Sequence, residues 1–202
     1  MSIKYGYPYW GPLLFLTKLK KEEIKKIREL ENEDNDFSKK LVGLIDSQNE
    51  IDSKKYYEII SPYLKAYKDA FESYYAEKCP SIEIGKAWVN KMVAGESNPM
   101  HHHVNCNLSS VLLTEIPKDL VKENKNFKGN GTGPGGLQFY NNPIRAGHIT
   151  EKGYIPEVGD FFIFPANLSH AVNPFKCKGH RVSIAANFSF KERPRIWRQD
   201  DF

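Results

Sequence analysis

The sequence predicts a mainly β domain with helices gathered at its N-terminal end, a jelly roll carrying helical support on one face. Three observations point there. Apolar residues recur at steps of three and four before residue 80 and at steps of two after it. The later segments are short and are punctuated by Gly, Pro and Asn. The chain has 202 residues and no internal repeat, which suits one domain with a core of its own.

Helical spacing is carried first by Ile24, Ile27 and Leu30, and again by Phe37, Leu41 and Leu44. The clearest helix is expected to start at Ser61-Pro62, an N-cap followed by proline in the first turn. Its stripe of Leu64, Tyr67, Phe71 and Tyr74 is expected to pack on a sheet. Strands are expected over 82–93, 108–113, 137–140, 160–164 and 181–190. The expected organisation is a single domain, 1–202, with helical support over 1–80, a jelly-roll core over 81–190 and a tail over 191–202.

Composition excludes several classes. The hydrophobic fraction is 40% and the charged fraction 27%, an ordinary globular balance. No apolar run reaches the length of a membrane span, and the first 21 residues are too rich in aromatics and proline to read as a cleavable signal. Cys79, Cys106 and Cys177 are odd in number and far apart, so they are read as reduced thiols. Together these lead us to expect a cytoplasmic protein with no membrane partner. The net charge of +4 is diffuse. Only the tail, with Lys191, Arg193, Arg195, Trp197 and Arg198, suggests a nucleic-acid surface, and Asp200 and Asp201 follow at once. Nucleic acid is therefore not the expected partner; a small-molecule or peptidyl substrate is, and a homo-oligomer is allowed. The Gly-rich stretch 122–136 lacks the ending of a phosphate-binding loop and reads as a flexible loop or an active-site lid.

The chemistry concentrates in three places. Within Asn98-Pro-Met-His101-His102-His103, alternate residues of a strand share a face, so His101 and His103 point together and His102 turns away. Two imidazoles at that spacing can chelate one divalent metal. Further on, Gly159-Asp160 marks a turn, 161–164 a buried strand and 165–169 a reversal, after which His170 opens a returning strand as a third ligand. Three protein ligands leave positions for a chelating substrate and for O₂. Arg181-x-Ser183 follows on the next strand, where a guanidinium and a hydroxyl can hold a carboxylate. Asn187, six residues beyond Arg181 on the same face, and Asn90 are candidate polar contacts in the same cavity.

These residues resemble the signature of the 2-oxoglutarate- and Fe(II)-dependent oxygenases. More narrowly, Trp88-Val-Asn90, His101-x-His103 followed by Leu108-Ser109, then Gly159, Phe164-Pro165, His170, Arg181-x-Ser183 and Asn187-Phe188 resemble the putative 2-oxoglutarate oxygenase family of bacteria and phages. The resemblance covers roughly 85–190. It implies a double-stranded β-helix, cupin-like in form, with Fe(II), 2-oxoglutarate and O₂ as cofactor and cosubstrates. It also implies His101, His103 and His170 as the metal-binding and catalytic set, and Arg181, Ser183, Asn187 and Asn90 around the cosubstrate. The activity implied is hydroxylation of a C–H bond with release of succinate and CO₂. His103 stands where the wider superfamily has an acid. Two alternatives compete. One is a cupin-type three-histidine dioxygenase independent of 2-oxoglutarate, for which Gly95-x5-His101-x-His103 and Gly159-x5-Pro165-x-Asn167-x2-His170 are near matches. The other is a non-catalytic jelly-roll binding module.

Overall fold

The computed structural model describes residues 3–7, 11–31, 34–141 and 150–192. Its strands are β1 (Tyr5–Gly6), β2 (Phe15–Lys18), β3 (Ser47–Glu50), β4 (Ile82–Met92), β5 (Asn98–His101), β6 (Leu108–Glu115), β7 (Leu137–Tyr140), β8 (Glu151–Tyr154), β9 (Asp160–Pro165), β10 (Ser169–Val172) and β11 (Arg181–Phe190). The helices are α1 (Lys21–Arg28), α2 (Ser53–Tyr75) and α3 (Leu120–Lys125). Among the described residues the strands form two antiparallel sheets, ordered β1-β2-β9-β6-β11-β4-β3 and β5-β10-β7-β8.

Alternation along β11 explains the layering. Val182, Ile184, Ala186 and Phe188 point to the helical side, where Tyr56, Ile60, Leu64, Tyr67 and Phe71 of α2 complete one apolar core. Arg181, Ser183, Ala185 and Asn187 occupy the opposite face. There a second core of Val111, Leu113, Leu137, Phe139, Phe162, Phe164 and Val172 lies between the two sheets. The large sheet is thus buried on both faces, so β6 and β9 are buried almost throughout, and β9 reads as a nearly unbroken apolar run.

Several elements depart from the sequence reading. The long helix begins at Ser53, not Ser61: Asp52 caps it, accepting from the backbone N–H groups of Lys54 and Lys55, and Pro62 lies inside. Proline cannot donate to the Glu58 carbonyl one turn back, and Ser61 Oγ donates to that oxygen instead, at 3.0 Å. The Phe37, Leu41, Leu44 spacing is not a helix but a single 3-10 turn, Ser38–Lys40, with extended backbone beyond it. Phe37 packs on Trp88 while Leu44 is 66% exposed, so a tertiary contact sets this segment. Residues before 80 also supply strands: β2 pairs with β9, and β3 pairs with β4.

The stretch 122–136 is partly helical and is tied down. Asn124 Nδ2 donates to the Leu120 and Pro134 carbonyls, and Asn173 Nδ2 donates to those of Thr132 and Gly133. The turn into β9 depends on Gly159, at φ +94°, where a Cβ would meet the Leu19 carbonyl oxygen at 3.1 Å. The cysteines are free. Among the described residues no helix is long and apolar enough to cross a membrane. The basic tail from 193 onward lies outside the described residues.

Candidate metal centre

Antiparallel pairing of β5 with β10 sets His101 directly opposite His170. Strand β5 ends at His101, yet the chain stays pinned, because His103 N–H donates to the Ala166 carbonyl at 2.8 Å. His103 therefore joins the other two, and His102 is left exposed. Ring centroids lie 4.3 Å apart for His101–His170 and 5.2 Å for both His101–His103 and His103–His170. One ligand nitrogen from each falls within 4.8 Å of the others.

Two of the rings are aimed by backbone. His101 Nδ1 donates to the Pro99 carbonyl at 2.7 Å, and His170 Nδ1 to that of Leu168 at 3.0 Å. Each bond fixes a tautomer whose Nε2 lone pair is free. His103 is held by Trp88, stacked at 5.9 Å and 23°. Burial lowers the basicity of all three. His170 falls well below the ordinary histidine range, and neighbouring His101 pushes it the same way. His103 drops to about 4, an effect partly offset by the nearby Asn187 amide. His101 is lowered too. All three are therefore neutral at physiological pH, the form that binds a metal.

The histidines open on a cavity of about 330 Å³, also lined by Asn90, Ser183, Asn187, Trp88, Leu137 and Val172. Arg181 is not on its open wall. It lies at the closed end of the same β11 face, two residues beyond Ser183, and is 0% exposed. Its Nε donates to the Gly135 carbonyl at 3.0 Å, Nη1 approaches Met92 Sδ at 3.8 Å, and Nη2 has no partner. Desolvation alone pulls its pKa down to about 10, so the side chain remains a cation. Burying a charge costs several kcal/mol unless a partner is supplied, and among the described residues no carboxylate pairs with it. Sequence reasoning missed Gln48, which reaches the cavity from β3 and donates through Nε2 to Asn90 Oδ1 at 2.7 Å. Its strand reads Ser-Gln-Asn-Glu, with no apolar residue to mark it.

A family model described as putative 2OG-Fe(II) oxygenase matches residues 86–187, half of the chain. The chain belongs to that family. No curated protein matches it. Among solved structures, this oxygenase is similar to a prolyl-4-hydroxylase from Pseudomonas putida, with TM-score 0.55 and 15% identity over 91% of this chain and 95% of that one. It is also similar to the viral collagen prolyl hydroxylase of Paramecium Bursaria Chlorella virus-1, with TM-score 0.52 and 13% identity over 87% and 94%. A third is the alpha-ketoglutarate-dependent epimerase SnoN from nogalamycin biosynthesis, with TM-score 0.54 and 13% identity over 90% and 77%. At such identities the likeness is one of fold, the double-stranded β-helix.

The 2OG-Fe(II) oxygenase is thus a 2-oxoglutarate-dependent non-haem iron enzyme, with Fe(II), 2-oxoglutarate and O₂ as its cofactor and cosubstrates. The cupin-type and non-catalytic alternatives give way to family membership. The residues present suit these groups. Three neutral imidazoles converge as a metal requires, and a sealed guanidinium with an orphaned N–H requires an anion. 

Proposed function

We propose that the protein hydroxylates a C–H bond of its substrate, with His101, His103 and His170 holding Fe(II) and Arg181 and Ser183 holding the far carboxylate of 2-oxoglutarate. The observation that carries this reading is the pairing of a neutral three-imidazole cluster on the small sheet with a buried guanidinium on the large sheet, one nitrogen of which has no partner. When bound, the iron supplies O₂ activation coupled to decarboxylation of 2-oxoglutarate to succinate and CO₂.

The chain's residues divide the remaining work. His101 and His170, locked by carbonyls, keep the metal position fixed before anything binds. Arg181 offers parallel N–H donors that match a carboxylate fork, and Ser183 adds a hydroxyl on the same face. Asn90 and Asn187 line the space between the two ends. Leu137, Val172 and Val111 wall the cavity with apolar surface, which excludes water and strengthens the Arg181–carboxylate attraction. His103 provides no negative charge where an acid would, so the ligand set itself is neutral.

Adding 2-oxoglutarate to the anaerobic Fe(II) protein should produce a visible metal-to-ligand charge-transfer band. With a substrate found by succinate release, the product should gain one oxygen atom. A missing band removes the cosubstrate assignment. A product of unchanged mass replaces hydroxylation with isomerisation, since the same fold serves an epimerase.

A further inference from the structure

Gln48 is 1% exposed, and its side chain spans the cavity wall between β3 and β4. With Nε2 committed to Asn90 Oδ1, its Oε1 is buried without a partner. Asn98 Oδ1, from another residue lining the cavity, is buried and unpaired as well. A buried acceptor left unsatisfied costs about 1–3 kcal/mol, so these oxygens require donors. The cosubstrate cannot provide them: 2-oxoglutarate, with two carboxylates and a keto group, offers only acceptors. The substrate, the other molecule that enters the cavity, can provide them.

The surroundings define that molecule further. His103, Trp88 and Phe37 form a continuous row of rings, 5.9 and 5.7 Å apart, running from the metal ligands toward the segment that carries Lys40 and Gly43. Gly43 lies hard against the glutamine: a Cβ there would meet Gln48 Nε2 at 2.8 Å. Both ends of the amide pack against Gly43, where a Cβ would also meet Oε1 at 3.2 Å, and Nε2 is held by Asn90, so Oε1 is the end without a partner. Among the described residues no carboxylate lines the cavity, while Lys40 and Lys86 do; Lys86 is paired with Glu50. An ammonium or guanidinium group would find no counter-ion there.

We propose that Gln48 is a specificity-determining residue, and that the prime substrate is an uncharged group bearing an N–H or O–H donor, such as a carboxamide or an alcohol, received by Gln48 Oε1 beside the Trp88 ring. This rests on the hydroxylase reading, because it takes the cosubstrate to be 2-oxoglutarate.

The test uses the metal-free protein and three probes of matched length: pentanamide, methyl butanoate and pentylammonium, with binding read by saturation-transfer NMR. In the wild type pentanamide should bind best and pentylammonium worst. Gln48→Leu should remove the amide's advantage over the ester, a loss of about tenfold. Gln48→Glu keeps an acceptor, which Asn90 can meet by turning its amide, and adds a negative charge, so pentylammonium should now bind best. Equal or absent binding of the three probes to the wild type overturns the proposal. So does an unchanged preference in Gln48→Leu, or a tenfold weaker 2-oxoglutarate complex in that variant, which would make Gln48 a cosubstrate residue. The hydroxylase reading is judged separately, by the charge-transfer band of the wild type.

Discussion

The two ends of the cavity solve opposite electrostatic problems. At the histidine end, burial holds three bases neutral, their lone pairs converge, and backbone carbonyls of Pro99 and Leu168 fix two of them. That end gains charge only when a metal arrives. At the arginine end, a permanent cation is sealed from water with one N–H group unpaired. That end loses its electrostatic penalty only when an anion arrives. The protein is therefore strained toward binding at one end, on β11 of the large sheet, and merely organised for it at the other, at and just beyond β5 and on β10 of the small sheet. The difference teaches that function and stability are coupled at Arg181 and largely separable at the histidines.

The largest expected effect tests the organised end. His170→Ala should lower Fe(II) affinity by more than about 100-fold, since even loss of outer support around a metal ligand costs 10–100-fold. Anaerobic metal analysis after reconstitution reads the change. Retained stoichiometric iron would show that the cluster is not the metal centre.

The strained end should respond in two directions at once. Arg181→Met should weaken 2-oxoglutarate binding by about 100-fold, the loss of two charge-assisted hydrogen bonds, while sparing Fe(II). The same variant should be more stable by about 1–2 kcal/mol in the absence of ligands, because it removes an unpaired buried charge at the cost of one bond to Gly135. Denaturant unfolding of the ligand-free proteins measures it. A destabilised Arg181→Met would mean that the guanidinium is structural, and the contrast between the ends would vanish.

Much of this contrast was legible in the sequence. Strands β4, β6, β7, β9 and β11 announced themselves by apolar residues between Gly, Pro and Asn turns. His101, His103, His170 and Arg181 stood out because their types are rare and their spacings fit facing strands. What was hidden had physical reasons. Strand β3 is an edge strand whose backbone pairs with β4, so Ser47, Gln48, Asn49 and Glu50 needed no apolar alternation. Pro62 imitated a helix start because Ser61 Oγ replaces the missing donor, a substitution that spacing cannot reveal. Alternation placed Arg181 on the face of Ser183, but only the fold shows that Gly135 and Met92 close over it while Ser183 reaches the open cavity.

The smallest expected effect separates the two ends by pH. His103 titrates near 4 in the folded chain and His170 well below its usual value, whereas both return to about 6.5 on unfolding. As pH falls through 6.5 the unfolded chain takes up protons first, so the metal-free protein loses stability from there down toward pH 4. Stability is complete above that window, where both states are neutral. The guanidinium stays protonated throughout the range, and the arginine end should contribute no slope. Melting temperatures of the metal-free protein should accordingly fall by several degrees between pH 7 and pH 5, and Arg181→Met should show a parallel curve. His170→Asn should make it shallower, because one of the depressed imidazoles is then gone. A curve that His170→Asn leaves unchanged would place the proton-sensitive groups elsewhere in the molecule and remove the electrostatic distinction between the cavity's ends.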